Sequence, residues 1–270
     1  MPELPEVQTV ITGLKKTVLK KTFAKATIYA PRVARFQIKS IEKGIKGKTI
    51  LQITRRGKNI LFELSGNHTL LAHLGMTGHM FYYSKKKAKD KHDAAIFRFK
   101  DGGELHFHDT RKFGKLILSN GKSDSLPTEK LGPEPLEITL PEFIKLFHSK
   151  KRMVKPALLD QTILAGLGNI YADEALFEAK IHPQRITDRL SNEKLKALHS
   201  AIRKILQRAI KTGGSSVANY VDVEGKPGHF QIYHKVYGKT GHACPRCGTK
   251  IKRIVVGQRS SHFCPRCQKL

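Results

Sequence analysis

Apolar residues at Val7, Ile11, Leu14 and Val18 recur at intervals of four, three and four. That spacing predicts one face of a helix running from Pro5 to about Lys20. Pro5 suits its first turn, where backbone N–H groups lack intrahelical partners, and Glu3 and Glu6 favour its positive end. The pattern then changes. "TILQITRRGKNILFELSGNHTLLAHLGMTGHMFYY" reads as short strands broken at Arg56-Gly57, Ser65-Gly66-Asn67 and Gly75. In "IFRFKDGGELHFHD", Phe97 and Phe99 alternate up to Asp101-Gly102-Gly103, and Leu105 and Phe107 answer on the far side, as in a hairpin. Residues 23 to 118 thus predict an antiparallel sandwich or barrel. The tract Lys85 to Lys91 reads as a solvated loop.

"LGPEPLEITLP" is proline-rich and reads as a hinge between domains. Helical periodicity follows. Phe143, Leu146 and Phe147 open one helix, Ala157 to Leu164 form another and Tyr171 to Glu178 a third. A longer helix covers Ser191 to Lys211, with Leu195, Leu198, Ile202, Ile205 and Leu206 inward. "TGGSSVANYVDVEGKPGHF" predicts a long polar loop, a kind of segment that is often functional.

Composition narrows the partners. The 270 residues suffice for more than one domain, and 39% are hydrophobic, enough for real cores. Lys and Arg total 50 against 22 Asp and Glu, a formal charge of +28. Such an excess points to a polyanion, with nucleic acid ahead of an anionic membrane. No apolar run approaches the length of a membrane span. The start lacks a secretory signal layout, and a cytoplasmic protein is expected.

All four cysteines fall in the last 27 residues, which excludes a disulfide framework spread over the fold. Cys244-x2-Cys247, then sixteen residues, then Cys264-x2-Cys267 matches a structural zinc site. Two such knuckles supply four thiolates and leave no open coordination position, so one structural Zn2+ is expected rather than a catalytic metal. The intervening Lys250, Lys252, Arg253 and Arg259 make the finger basic. "GLGNIY" contains Gly166 and Gly168, but helical sequence flanks it and no strand precedes it, which argues against a dinucleotide site.

"MPELPEV" has a second reading besides a helix start. With Met1 removed, Pro2 becomes a free secondary amine beside two carboxylates, and an amine near neutral pKa is a potential nucleophile.

Together these features resemble the formamidopyrimidine-DNA glycosylase family. The resemblance rests on "PELPEV", "RRGK" through Lys58, "HLGMTG" at 73 to 78, "DTRKFG" at 109 to 114 and "LGPEPL" at 131 to 136. It continues through "VKPALLDQ" at 154 to 161, "GLGNIYADEALF" at 166 to 177, "VYGK" at 236 to 239 and the four cysteines. It implies an α+β multi-domain fold: an N-terminal antiparallel β-sandwich with an N-terminal helix (1–134), a helix–two-turn–helix domain (135–235) and a zinc finger (236–270). It also implies a monomer acting on damaged double-stranded DNA, excising oxidised purines and then nicking the strand by β,δ-elimination. By this resemblance Pro2 is the nucleophile, Glu3 the adjacent acid/base, Lys58 the proton donor for β-elimination, and Arg259 the residue for δ-elimination and phosphate. Met76, Arg111 and Phe113 match the residues that fill the gap left by a flipped base. His73, His92, Lys150, Lys155 and Asn169 match DNA-contacting positions.

Lys112 and Thr110 are mild departures from the wedge motif, and Ala218 replaces a common arginine in the loop over the flipped base. Two other readings stand beside this one. An endonuclease VIII-like enzyme would prefer oxidised pyrimidines, and a non-catalytic zinc-ribbon protein would bind DNA without cutting it. The Met76, Arg111 and Phe113 set favours the purine-directed branch, and Pro2, Glu3 and Lys58 together argue for catalysis.

Overall fold

The first apolar stripe folds as helix α1 (Leu4–Thr17), burying Leu4, Val7, Val10, Ile11 and Leu14. It ends before Lys20, which takes a left-handed conformation (φ 66°). The Lys20 N–H donates to the Ile50 carbonyl at 2.9 Å, so the chain has already turned toward a sheet.

The computed structural model describes residues 1–121, 126–217 and 219–270. Ala218 lies outside the described residues. Packing divides the chain into one unit of Met1–Glu129 with Thr212–His229, and another of Lys130–Lys211 with Phe230–Leu270.

In the first unit, β1 (Phe23–Ile28), β5 (Gly78–Tyr83), β6 (Asp93–Phe99) and β7 (Glu104–Asp109) form an antiparallel sheet in the order β1-β6-β7-β5. Strands β2 (Ile50–Arg56), β3 (Asn59–Leu64), β4 (His68–His73) and β8 (Lys115–Asn120) form a second, ordered β2-β3-β4-β8. Phe23, Phe97, Phe99 and Phe107 of one sheet share a buried cluster with Ile53, Ile60, Phe62 and Leu116 of the other. Two separate sheets over one core make a sandwich, which resolves the choice left open by the strand pattern. Helix α1 packs on β2, β3 and β5, and a second helix, α2 (Ile38–Gly44), packs on β1 and β8. Within the described residues of 212–229 there is neither helix nor strand.

A bulge between Asp93 and Ala95 turns Asp93 inward. There His106 sits between two carboxylates, with Nδ1 2.8 Å from Asp93 Oδ2 and Nε2 3.0 Å from Glu104 Oε2. The same carboxylates accept from the backbone of the lysine-rich loop: Asp90 N–H to Asp93 at 2.8 Å and Lys87 N–H to Glu104 at 3.0 Å. Burial pushes the Glu104 carboxyl up, but His106, the Lys87 N–H and Arg98 together hold it below its ordinary range. The loop leading to His92 is therefore pinned from beneath.

The second unit holds α3 (Leu140–His148), α4 (Val154–Leu159), α5 (Asn169–Glu178), α6 (Asn192–Lys211) and the hairpin β9 (Lys252–Val256)–β10 (Arg259–Phe263). Thr139 and Glu142 close a capping box on α3, with Glu142 Oε2 accepting the Thr139 N–H at 3.0 Å. Helix α4 departs from the expected span 157–164. Gln161 explains the early stop: its amide donates to the Leu159 and Leu167 carbonyls and accepts from the Gly166 N–H, all at 2.9 Å, winding 161–167 into a turn. In α6 Leu195, Leu198, Ile202 and Leu206 are buried as expected, while Ile205 is half-buried. Helix α5 packs on α4, α6 and β10. Among the described residues no helix is long and apolar enough to cross a membrane.

Candidate active site

The N-terminus of α1 gathers two buried carboxylates, Glu3 and Glu6. Met1 is 55% exposed whereas Pro2 and Glu3 are buried. The Glu3 N–H donates to Glu6 Oε2 at 2.8 Å, and the other Glu6 oxygen accepts the Ser215 N–H at 2.7 Å. Tyr220 Oη donates to the Glu6 carbonyl at 3.2 Å. The polar loop is thus tied to the start of the helix, and it closes on itself through Ser216. That hydroxyl donates to the Tyr220 carbonyl and accepts from the Gly228 N–H, at 2.7 and 2.8 Å.

Lys58 lies in the tight β2–β3 turn and is only 8% exposed. Arg55 secures this turn, donating to Gln8 on α1 at 3.2 Å and to the Gly57 carbonyl at 3.0 Å. His73, paired across the ladder with Asn59 and with Lys115, ends β4. Burial, reinforced by the charges of Lys115 and Lys58, lowers its pKa to about 4. Its Nδ1 accepts the Gly75 N–H at 3.0 Å, so the neutral ring carries its proton on Nε2, a donor suited to a phosphate oxygen.

Met76, Arg111 and Phe113 come together because two loops are stitched at Asp109. This fully buried carboxylate accepts from the Thr77 hydroxyl at 2.6 Å, the Arg111 N–H at 3.2 Å and the Gly114 N–H at 2.7 Å. Gly75 permits the approach: it has φ 64°, and a Cβ there would lie 2.7 Å from the Phe113–Gly114 backbone. Met76 and Phe113 are left 44% and 38% exposed, far above the core value that strand periodicity alone would give them. The Phe113 ring lies between two guanidinium groups, Arg111 at 4.7 Å and Arg32 at 5.2 Å. Lys112, between them, is left-handed (φ 55°). The His92 carbonyl accepts the Asp109 N–H at 2.9 Å, which joins His92 to the same cluster.

In the second unit Asn169 opens α5, and its side-chain oxygen is buried with no hydrogen-bond partner. Lys150, half-buried just past α3, and Arg259, exposed at the start of β10, have no acid within ion-pair distance among the described residues. Lys155 is placed otherwise than a phosphate-contacting lysine. It is fully buried, with its ammonium 2.6 Å from Asp173 Oδ1 and donating to the Ser260 carbonyl at 2.6 Å. The other Asp173 oxygen accepts the His262 N–H and faces His262 Nδ1, both at 2.9 Å. In this arrangement Lys155 braces the finger hairpin against α5, and its charge is spent inside the protein.

Glu174, next on α5, accepts from the N–H groups of Lys235, Val236 and Tyr237 at 2.8 to 3.0 Å. Burial raises its pKa despite those bonds. Asp173 and Glu174 stood in the "GLGNIYADEALF" motif, and two adjacent acids in an otherwise apolar helix were the available signal for them. Arg32, Tyr220 and Ser215 carry no such signal, because only packing brings them to the site.

The four cysteine Sγ atoms lie within 4.8 Å of one another, with Cys247 3.5 Å from Cys264 and from Cys267, and Cys244 3.9 Å from Cys267. A tetrahedral zinc with Zn–S bonds of about 2.3 Å requires S–S edges of about 3.8 Å. The donor set fits one structural zinc.

Three family models cover most of the chain. The formamidopyrimidine-DNA glycosylase N-terminal domain matches residues 1–116, the H2TH domain of the same enzyme 131–221, and the zinc finger found in FPG and IleRS 241–270. The formamidopyrimidine-DNA glycosylase of Mycoplasma mobile is 43% identical, with 100% of both chains covered. That of Ligilactobacillus salivarius is 44% identical over 99% of each. Among solved structures, Lactococcus lactis Fpg in complex with abasic-site DNA superposes with a TM-score of 0.92 at 40% identity, covering 99% of this chain and 100% of that one. A variant of the same protein bound to Fapy-dG DNA gives 0.92 at 39%, covering 100% of both.

Proposed function

Because the chain belongs to the formamidopyrimidine-DNA glycosylase family, we propose that its catalytic group is the Pro2 amine, freed by removal of the exposed Met1. The chain is a DNA glycosylase for oxidised purines with an associated lyase activity, and it carries one structural zinc. The arrangement around α1 supports the assignment of individual residues. The observation that carries it is the shared Glu6 carboxylate, which anchors both the Pro2–Glu3 terminus and the 212–229 loop.

In the proposed reaction the damaged base leaves the stack, and the Pro2 nitrogen attacks the sugar C1′. The C1′–N bond breaks, its electron pair departs with the base, and the base takes up a proton. Glu3 protonates the ring oxygen, which opens the sugar to an iminium. A secondary amine has no second N–H to lose, so this iminium stays cationic and acidifies the C2′ hydrogen. Loss of that proton expels the 3′ phosphate, with Lys58 as the proton donor. A second elimination, assisted by Arg259, expels the 5′ phosphate. His73, His92, Lys150 and Asn169 hold the backbone by hydrogen bonds and charge, and Met76, Arg111 and Phe113 occupy the vacated stack.

Catalysis is assigned to residues 1–134, the DNA-binding helical domain to 135–235 and the finger to 236–270. Packing groups 212–229 with the first unit, which supports a role for that loop beside the catalytic terminus. The enzyme acts as a cytoplasmic monomer on damaged duplex DNA.

Borohydride trapping tests the reading. A duplex with 8-oxoguanine opposite cytosine should give a covalent adduct that maps to Pro2 and disappears in Pro2→Gly. Stronger trapping on dihydrouracil would move the specificity to oxidised pyrimidines. Tight binding with no adduct on either duplex would reduce the "PELPEV" start to a helix cap.

A further inference from the structure

The second unit carries a surface cavity of about 440 Å³ that no catalytic or DNA-contacting residue named above lines. Its wall is cationic, made by Lys180, Arg185, Arg189, Lys194, Arg266 and Lys269. Its floor is apolar: Ile181 and Leu190 are 2% and 4% exposed, and the zinc ligand Cys267 closes one side. No carboxylate lines it.

These cations have no counter-charge, unlike several others of the unit. Lys204, Lys235 and Arg246 share Glu178, and Arg152 pairs with Asp160. Among the described residues none of the six has an acid within ion-pair distance, and Lys194 has only the Lys180 carbonyl at 3.4 Å. Glu193, near the rim, is engaged by the Ser191 hydroxyl. Six unpaired like charges around one concavity repel one another and concentrate anions there.

Two of the residues assigned to DNA in this unit, Asn169 and Arg259, stand apart from the cavity, whereas Lys150 follows α3, whose His148 bonds Asn192 beside the lining residue Ser191. Asn169 opens α5 and Lys180 lies just past its end, about 15 Å along the axis. Arg259 opens β10, and Arg266 lies beyond its other end, which is about 13 Å along the strand.

We propose that this cavity binds a nucleoside oligophosphate, with the base on the Ile181–Leu190 floor and the phosphates among the six cations. The volume suits a ligand of that size, and an apolar floor ringed by cations fits a flat ring joined to several phosphates better than it fits phosphate alone. The same chemistry is offered by a free nucleotide and by the triphosphorylated end of a nucleic-acid strand. The inference is independent of the glycosylase chemistry.

Calorimetric titration of the full-length, zinc-loaded protein at about 0.15 M salt tests it, with ATP, AMP and tripolyphosphate as probes. ATP should bind with a Kd below about 100 µM, and AMP and tripolyphosphate each about tenfold more weakly. ATP binding should persist when the protein is saturated with a duplex carrying a reduced abasic site that the lyase cannot cleave. It should fall about tenfold in Arg185→Glu/Arg189→Glu, and likewise in Lys194→Glu, while affinity for the duplex is unchanged. Competition by a 5′-triphosphorylated single strand then identifies the source: stronger than ATP for a strand end, weaker for the free nucleotide. Displacement of ATP by duplex, or unchanged ATP binding in both variants, would move the nucleotide to the DNA-binding surface and overturn the proposal. Tripolyphosphate binding as tightly as ATP would overturn the role of the floor.

Discussion

Glu6 and Ser215, 209 positions apart in the chain, are joined by a buried hydrogen bond of 2.7 Å from the Ser215 N–H to Glu6 Oε1. The neighbouring Gly214 has φ 81°, and a Cβ there would come within 2.8 Å of the same oxygen. The loop therefore reaches the helix only with a glycine at 214 and a doubly accepting side chain at 6. Glu6, which from sequence reads as a helix-start acid, also holds the loop.

Glu6→Gln replaces one acceptor oxygen by an amide that faces a backbone N–H. Leaving a buried donor unsatisfied costs about 1–3 kcal/mol. Excision of 8-oxoguanine should fall at least about tenfold, which corresponds to about 1.4 kcal/mol. Cleavage of a preformed abasic site, which has no base to cover, should change far less. Equal losses on both substrates would place the role of Glu6 at the nucleophile instead of the loop.

Lys155→Met strands Asp173 in the interior. Removing one partner of a buried ion pair costs about 3–5 kcal/mol, so urea should unfold this variant at clearly lower concentration. Lys155→Met with Asp173→Leu should recover part of the loss. If Lys155 served chiefly as a phosphate contact, the single change would instead leave stability intact and flatten the salt dependence of DNA binding.

Zinc removal should act on the finger first. Zinc joins the two knuckles through four thiolates, so a chelator or Cys264→Ser should loosen the β9–β10 hairpin that carries Arg259. DNA affinity should drop, and chelation should expose thiols to titration with Ellman's reagent. Full DNA affinity with four titratable thiols would contradict this.

Acid should begin to destabilise the protein below about pH 6.5 through two half-buried histidines. Burial, then Lys115 and Lys58, lowers His73 to about 4, and burial, then Lys239, lowers His234 to about 4. Both have an ordinary value near 6.5, so the unfolded chain binds more protons between about 4 and 6.5. Stability should rise with pH across that window and fall on acidification through it. Glu174, held above its ordinary range by burial, works in the opposite sense as pH rises past that range. Urea midpoints measured from pH 4 to 7 should show the slope, and His73→Asn, which keeps an acceptor for the Gly75 N–H, should make it shallower.

Phe113→Ala removes the ring held between Arg32 and Arg111. Binding to an intact duplex should change little, because phosphate contacts supply most of that affinity. Excision should fall about tenfold or more, since kinking and base extrusion lose their wedge. A 2-aminopurine reporter next to the lesion would detect the missing extrusion step directly.

How much of this was legible beforehand depended on the range of the interaction. The apolar face of α1, the β6–β7 hairpin turn at Asp101-Gly102-Gly103 and the Cys-x2-Cys pairs are short-range patterns, set by helix period, turn chemistry and coordination geometry, and the chain alone determined them. The end of α4 escapes periodicity because Gln161 stops it with bonds made by a side chain. Exposure of Met76 and Phe113 and burial of Lys155 needed the tertiary structure. In each case a buried carboxylate decides the outcome, Asp109 by drawing two loops together and Asp173 by neutralising an ammonium. Side-chain type and local spacing report what a residue can do. Whether its charge meets solvent, DNA or a buried partner is settled by segments that only folding brings within 3 Å.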